Sequence, residues 1–72
     1  MKFERGDIVK INQSLEAINH NRYIIKERLG EFTVLLSGNN RQFYISTFDI
    51  TLLLSIKIKN LPIYLTFNKE LN

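Results

Sequence analysis

Side chains able to do acid–base, nucleophilic or metal chemistry are few and scattered in this chain. There is no cysteine, which excludes thiolate nucleophiles, disulfides and zinc–thiolate sites. His20 is the single histidine, set between Asn19 and Asn21 with no carboxylate cluster beside it in sequence. A lone imidazole cannot build a multi-histidine metal site, and no nucleophile stands near it for a general base to serve. It reads as a solvated loop residue. The expectation is a protein that is not an enzyme and holds no cofactor and no metal. What remains is recognition. Lys10, Arg22, Lys26, Arg28 and Arg41, with Tyr44 among them, are candidate nucleic-acid contacts, because a basic stripe with an aromatic is the minimal equipment for holding a single strand. Against that, ten basic and seven acidic residues leave a net charge of only +3, mild for a dedicated nucleic-acid binder. Charged outward faces are also the ordinary condition of a half-buried sheet.

The elements that would position these residues are strands. Phe32, Val34 and Leu36 alternate with Thr33, Leu35 and Ser37, and Arg41, Phe43 and Ile45 alternate with Gln42, Tyr44 and Ser46. Period-two alternation rich in β-branched and aromatic residues is the strand signature. Gly38-Asn39-Asn40 between them tolerates the positive φ of a tight hairpin. Ser46-Thr47-Phe48-Asp49 then breaks the alternation. Its short hydroxyl and carboxylate side chains suit the capping of a single 3₁₀ turn before Ile50 resumes a strand.

Upstream, Gly6-Asp7 opens a strand with Val9 and Ile11 turned inward. Residues 12–21 are a long polar loop, in which Ser14 is placed to cap one helical turn. Arg22 to Leu29 reads as a second strand, with Tyr23, Ile25, Glu27 and Leu29 on one side and Arg22, Ile24, Lys26 and Arg28 on the other. Gly30 supplies the positive φ of the next tight connection. The expected core includes Val9, Ile11, Ile25, Val34, Phe43, Ile45, Ile50 and Leu52.

The apolar alternation continues past Leu54 through Ile56 and Ile58, turns at Asn60-Leu61-Pro62 and resumes over Ile63-Tyr64-Leu65-Thr66-Phe67. The pattern predicts a fifth strand reaching Ile58 and an extra C-terminal strand over about 62–67. A barrel complete by Leu54 has no interior room for these side chains. Ile56, Ile58, Ile63, Tyr64, Leu65 and Phe67 are therefore candidate protein-interface residues, for a partner or a second copy, since an unpaired strand edge is a template for pairing.

The run Tyr44 to Leu53, an aromatic strand, a serine-containing one-turn step and a final aliphatic strand, resembles the ending of small SH3-like barrels. Phe3-Glu4-Arg5-Gly6-Asp7-Ile8-Val9-Lys10-Ile11 is similar to the first strand of bacterial, phage and plastid SH3-like domains. The resemblance spans about residues 3–54. It implies an all-β fold, a five-stranded SH3-like barrel with a 3₁₀ turn before the last strand, here with the extra C-terminal strand. The chain is expected to be a single domain over 1–72 with its barrel core at about 3–58. The tryptophan and acidic first loop of proline-rich-peptide-binding SH3 domains are absent, so that activity is not expected. The same opening also resembles MazF-type endoribonuclease toxins. The chain departs from them at Asn21-Arg22-Tyr23, where an Arg-Pro pair is expected, so no catalytic residue carries over.

Two functional expectations follow: a non-enzymatic interaction module, an accessory or adaptor subunit of a larger assembly, or a nucleic-acid binder acting through the basic face. The start Met1-Lys2-Phe3-Glu4-Arg5 has no apolar stretch of the signal-peptide kind, and the apolar run from Ile50 to Phe67 is interrupted by Lys57, Lys59, Asn60 and Pro62. No membrane insertion is expected, and the expected location is the cytoplasm, or the plastid stroma for an organelle-encoded chain.

Overall fold

The structure is a computed structural model describing residues 2–12 and 22–71; the expected helical turn after Ser14 and His20 itself lie outside the described residues. Five antiparallel strands form one sheet: β1 (Ile8–Ile11), β2 (Tyr23–Arg28), β3 (Thr33–Gly38), β4 (Arg41–Ser46) and β5 (Ile50–Leu54). Their order across the sheet is β4-β3-β2-β1-β5, and the two end strands are joined through a 3₁₀ turn at Thr47–Asp49. The arrangement is all-β in its bulk and compatible with a small barrel.

Local chemistry explains each junction. Asn39 and Asn40 take φ of 51° and 63° between the paired Gly38 and Arg41. This is the two-residue hairpin whose twist matches that of its strands. Gly38 itself belongs to β3. The 3₁₀ turn is capped by Ser46, whose side chain accepts from the Phe48 N–H at 3.1 Å. Gly30 has the positive φ its connection requires, 80°.

The eight expected core residues all fall in or against the core. Val9, Ile25, Val34 and Ile50 are buried in it with Phe3, Tyr23 and Leu36, and Ile11, Phe43, Ile45 and Leu52 pack against it. Tyr23 meets Phe43 edge to face, with centroids 5.4 Å apart.

The C-terminal part corrects the sequence reading twice. β5 ends at Leu54, and Ile56–Ile58 is a second 3₁₀ turn; Pro62–Leu71 is a helix, α1, not the extra strand expected over about 62–67. Two hydrogen bonds end the ladder. Ser55 accepts from the Lys57 N–H at 3.1 Å, and the Asp7 carboxylate takes the Ile56 N–H at 2.8 Å. Pro62 then stands at the first helical position, which its fixed φ favours. The alternating Ile63, Leu65 and Phe67 mimic a strand. A helix instead places Tyr64 with Phe67 and Asn68, three and four residues on, along one seam.

This helix has a structural task. Ile8 and Ile24 pair across β1 and β2 and are 0% and 5% exposed, yet they stand outside the main core cluster. They lie on the outer face of the sheet, the side opposite Val9 and Tyr23. There α1 packs on β2, Tyr64 is buried, and the Arg22 guanidinium sits 4.7 Å over the Phe67 ring.

A buried carboxylate ties the end of the chain to its beginning. Asp7 is 2% exposed; besides Ile56 it accepts from the Glu4 N–H at 2.9 Å. The Tyr64 hydroxyl donates to the Gly6 carbonyl at 2.7 Å. Gly6 has φ of 96°, and a Cβ there would fall 2.6 Å from Ile56 Cδ1, so only glycine lets the second 3₁₀ turn close over this corner. Burial, and then the nearby Asp7 charge, raise the Tyr64 pKa above its ordinary value.

Candidate functional site

The structure separates the expected basic stripe. Ile25 pairs with Leu36 but Glu27 pairs with Leu35, so β2 carries a bulge at Lys26. A one-residue slip turns every later side chain to the other face. Lys10 and Arg22 remain outward and exposed. Arg28 is turned to the inner side, where it donates to the carbonyls of Phe3 at 2.9 Å, Gly30 at 3.2 Å and Glu31 at 3.2 Å. Arg41 pairs with Gly38 on the inner side of β4; its guanidinium lies 4.8 Å over Phe43 and 3.5 Å from the Tyr23 hydroxyl. Tyr44 is 61% exposed on the opposite, outer side of the same strand. The sequence alternation could not reveal the inward turn of Arg28, because the bulge depends on how β2 meets β3; the separation of Arg41 from Tyr44 is already present in the alternation of β4.

The candidate interface residues also divide. Tyr64 is buried, and Ile56, Ile58 and Phe67 are half-buried against their own chain. Ile63 and Leu65 stay exposed, at 52% and 54%. At 100° per residue they flank the buried seam on opposite sides, Leu65 one turn from the exposed Leu61.

A further recess lies elsewhere, and sequence reading did not single it out. A cleft of about 320 Å³ opens between the β2–β3 connection, the first 3₁₀ turn and β5, and is lined by Phe3, Glu31, Phe32, Thr47, Phe48, Ile50, Thr51 and Leu52. At its mouth Phe32 and Phe48 stack, with centroids 5.2 Å apart and planes 20° from parallel. They remain 55% and 75% exposed. The reasons are local. β3 begins at Thr33, so Phe32 escapes the inward alternation of Val34 and Leu36. Phe48 sits in the 3₁₀ turn, where side chains leave the sheet. The Thr47 N–H donates to the Phe32 carbonyl at 2.9 Å, which holds the two rings' backbones together.

Arg28 supports the backbone beside the cleft. Its three bonds fasten the carbonyls of Phe3, Gly30 and Glu31, so one guanidinium positions two stretches leading into the cleft. The floor is apolar, from Phe3, Ile50 and Leu52, and Thr47 and Glu31 are the polar residues beside it; Thr51 turns its hydroxyl to the outer face, where it donates to Asn12 Oδ1 at 2.6 Å. The sequence signal that could have found the site is Phe48 alone, a large aromatic in the break between two strands; Phe32 reads as part of the alternation with Val34 and Leu36, and only the start of β3 at Thr33 frees it. Among the described residues no group of histidine, cysteine, aspartate and glutamate gathers as a metal site would need, and no helix is long and apolar enough to cross a membrane. No family model, curated protein or solved structure matches the chain.

Proposed function

We propose that the chain is a non-enzymatic interaction module, a small SH3-like barrel acting as an accessory or adaptor subunit, and that it holds a protein partner at the Phe32–Phe48 cleft. The observation that carries this is the stacked phenylalanine pair, exposed at 55% and 75% over an apolar recess. Aromatic residues concentrate at the energetic centres of protein interfaces. Two adjacent rings left in water beside a ready pocket are such an anchor point. The strand order and the 3₁₀ turn before β5 support the SH3-like reading. Stacked rings also suit nucleobases. The carboxylate in this wall opposes a phosphate backbone, and the cations Lys10 and Arg22 belong to the outer face, so a protein partner is the better reading.

The test compares wild type with a Phe32→Ala/Phe48→Ala variant in crosslinking and affinity capture from the native host, read by mass spectrometry. The expected result is a partner enriched with wild type and lost with the double variant, while both give the same circular dichroism spectrum. A partner captured equally by both would place the interaction elsewhere and defeat the proposal.

A further inference from the structure

Resting on that reading of the cleft, we infer that the partner inserts an arginine side chain, which lies flat on the Phe32–Phe48 pair and turns its guanidinium toward Glu31. Three observations converge on this. The cleft, at about 320 Å³, sits at the small end of ligand pockets, which run from about 300 to 1,000 Å³, so it suits one long side chain better than a large cofactor. Its walls join exposed aromatic faces to a carboxylate. Aromatic faces attract cations through the ring quadrupole, and a planar guanidinium can stack on a ring while pairing with a carboxylate, which a compact ammonium does less well. No hydrogen bond or ion pair among the described residues engages the Glu31 side chain, because the neighbouring Arg28 spends its donors on backbone carbonyls instead. Asp49, next to Phe48, adds a second exposed carboxylate to this end of the molecule.

The chain itself uses the same contact twice. Arg22 lies 4.7 Å over Phe67 and Arg41 lies 4.8 Å over Phe43. Phe48 is more exposed than either partner ring, and no cation–ring contact among the described residues covers it. The Thr47 hydroxyl can accept from a remaining guanidinium N–H; the Thr51 hydroxyl is engaged on the outer face, where it donates to Asn12 Oδ1 at 2.6 Å. Such a site favours an arginine-bearing, apolar-flanked segment over an acidic one.

The test is a titration of the isotope-labelled full chain, followed by nuclear magnetic resonance. The probes are a capped short peptide with arginine at its centre, the same peptide with neutral, isosteric citrulline, and a single-stranded oligonucleotide. The expected result is saturable shifts at Glu31, Phe32, Thr47 and Phe48 with the arginine peptide, and binding at least fivefold weaker with citrulline. Glu31→Gln should weaken the arginine peptide about two- to fivefold, the range of an exposed ion pair, and Phe48→Ala by a similar factor. Equal binding of the arginine and citrulline peptides would overturn the guanidinium assignment and leave the interaction module standing. Shifts at Phe48 with the oligonucleotide but not the peptide would overturn both the inference and the choice of a protein partner. An absence of shifts in the cleft at millimolar arginine peptide would also overturn the inference, with the capture experiment then deciding the proposed function separately.

Discussion

Removing the Asp7 carboxylate should cost this protein a large share of its stability. The side chain is 2% exposed and accepts from two backbone N–H groups, Glu4 at 2.9 Å and Ile56 at 2.8 Å. Asp7→Ala leaves both donors without their acceptor inside the corner where the first strand, the second 3₁₀ turn and α1 meet. A hydrogen bond to a charged group contributes about 1.5–3 kcal/mol. Taking the low end for each bond, because burying the carboxylate carries its own desolvation cost, gives a loss of about 3 kcal/mol. A chain of 72 residues has about 4–11 kcal/mol in total. At about 4–8 °C per kcal/mol for a small domain, the melting temperature should fall by about 12–24 °C. Asp7→Asn keeps one acceptor oxygen and should lose about half as much. Tyr64→Phe, which removes one neutral bond to the Gly6 carbonyl, should lose about 1 kcal/mol. Urea unfolding followed by circular dichroism measures all three, and amide resonances of Glu4 and Ile56 report whether the loss is local. An Asp7→Ala variant within about 0.5 kcal/mol of wild type, the range of an unremarkable surface change, would refute the role given to this carboxylate.

Three further outcomes are expected. Folded Tyr64 holds its proton more tightly than the unfolded chain does, because burial and then the Asp7 charge raise its pKa above 10.0. Its contribution is therefore complete below about pH 10 and lost as pH rises through the folded pKa, and ultraviolet difference absorbance should show a late-titrating tyrosinate that disappears in Tyr64→Phe. Deleting residues 62–72 uncovers Ile8 and Ile24 on the outer face. With about 1.5–3 kcal/mol for each large apolar side chain returned to water, the truncated chain should show a lowered urea midpoint or fail to fold, and undiminished stability would contradict the packing described. Val34→Asp puts an unpaired charge at a fully buried position and should unfold the domain, whereas Phe48→Ala, at 75% exposure, should stay within about 0.5 kcal/mol of wild type; thermal melts distinguish the two.

Local chemistry determined much of this molecule directly from its sequence. Alternation placed Val9, Ile25, Val34 and Ile50 in the core, because a strand has only two faces and one must be dry. Asn39-Asn40 set the hairpin, and Ser46 set the 3₁₀ turn, because those side chains favour the required backbone by themselves. Other features belong to the tertiary structure. Ile63 to Phe67 reads as a strand, a choice that periodicity alone does not secure in so short a run, yet it is part of α1; just before it Asp7, forty-nine residues upstream of Ile56, takes the Ile56 N–H where β5 has ended. The bulge at Lys26 is a property of how β2 meets β3, and it moved Arg28 from an expected ligand surface to the loop it now fastens. The Phe32–Phe48 pair follows from the β3–β4 hairpin, whose register sets Thr33 opposite Ser46 and Phe32 beside Thr47, but the cleft beneath it also required Phe3 and β5, which only the tertiary fold brings alongside. Strand pattern records what one residue does to the next; it carries no record of which elements will meet.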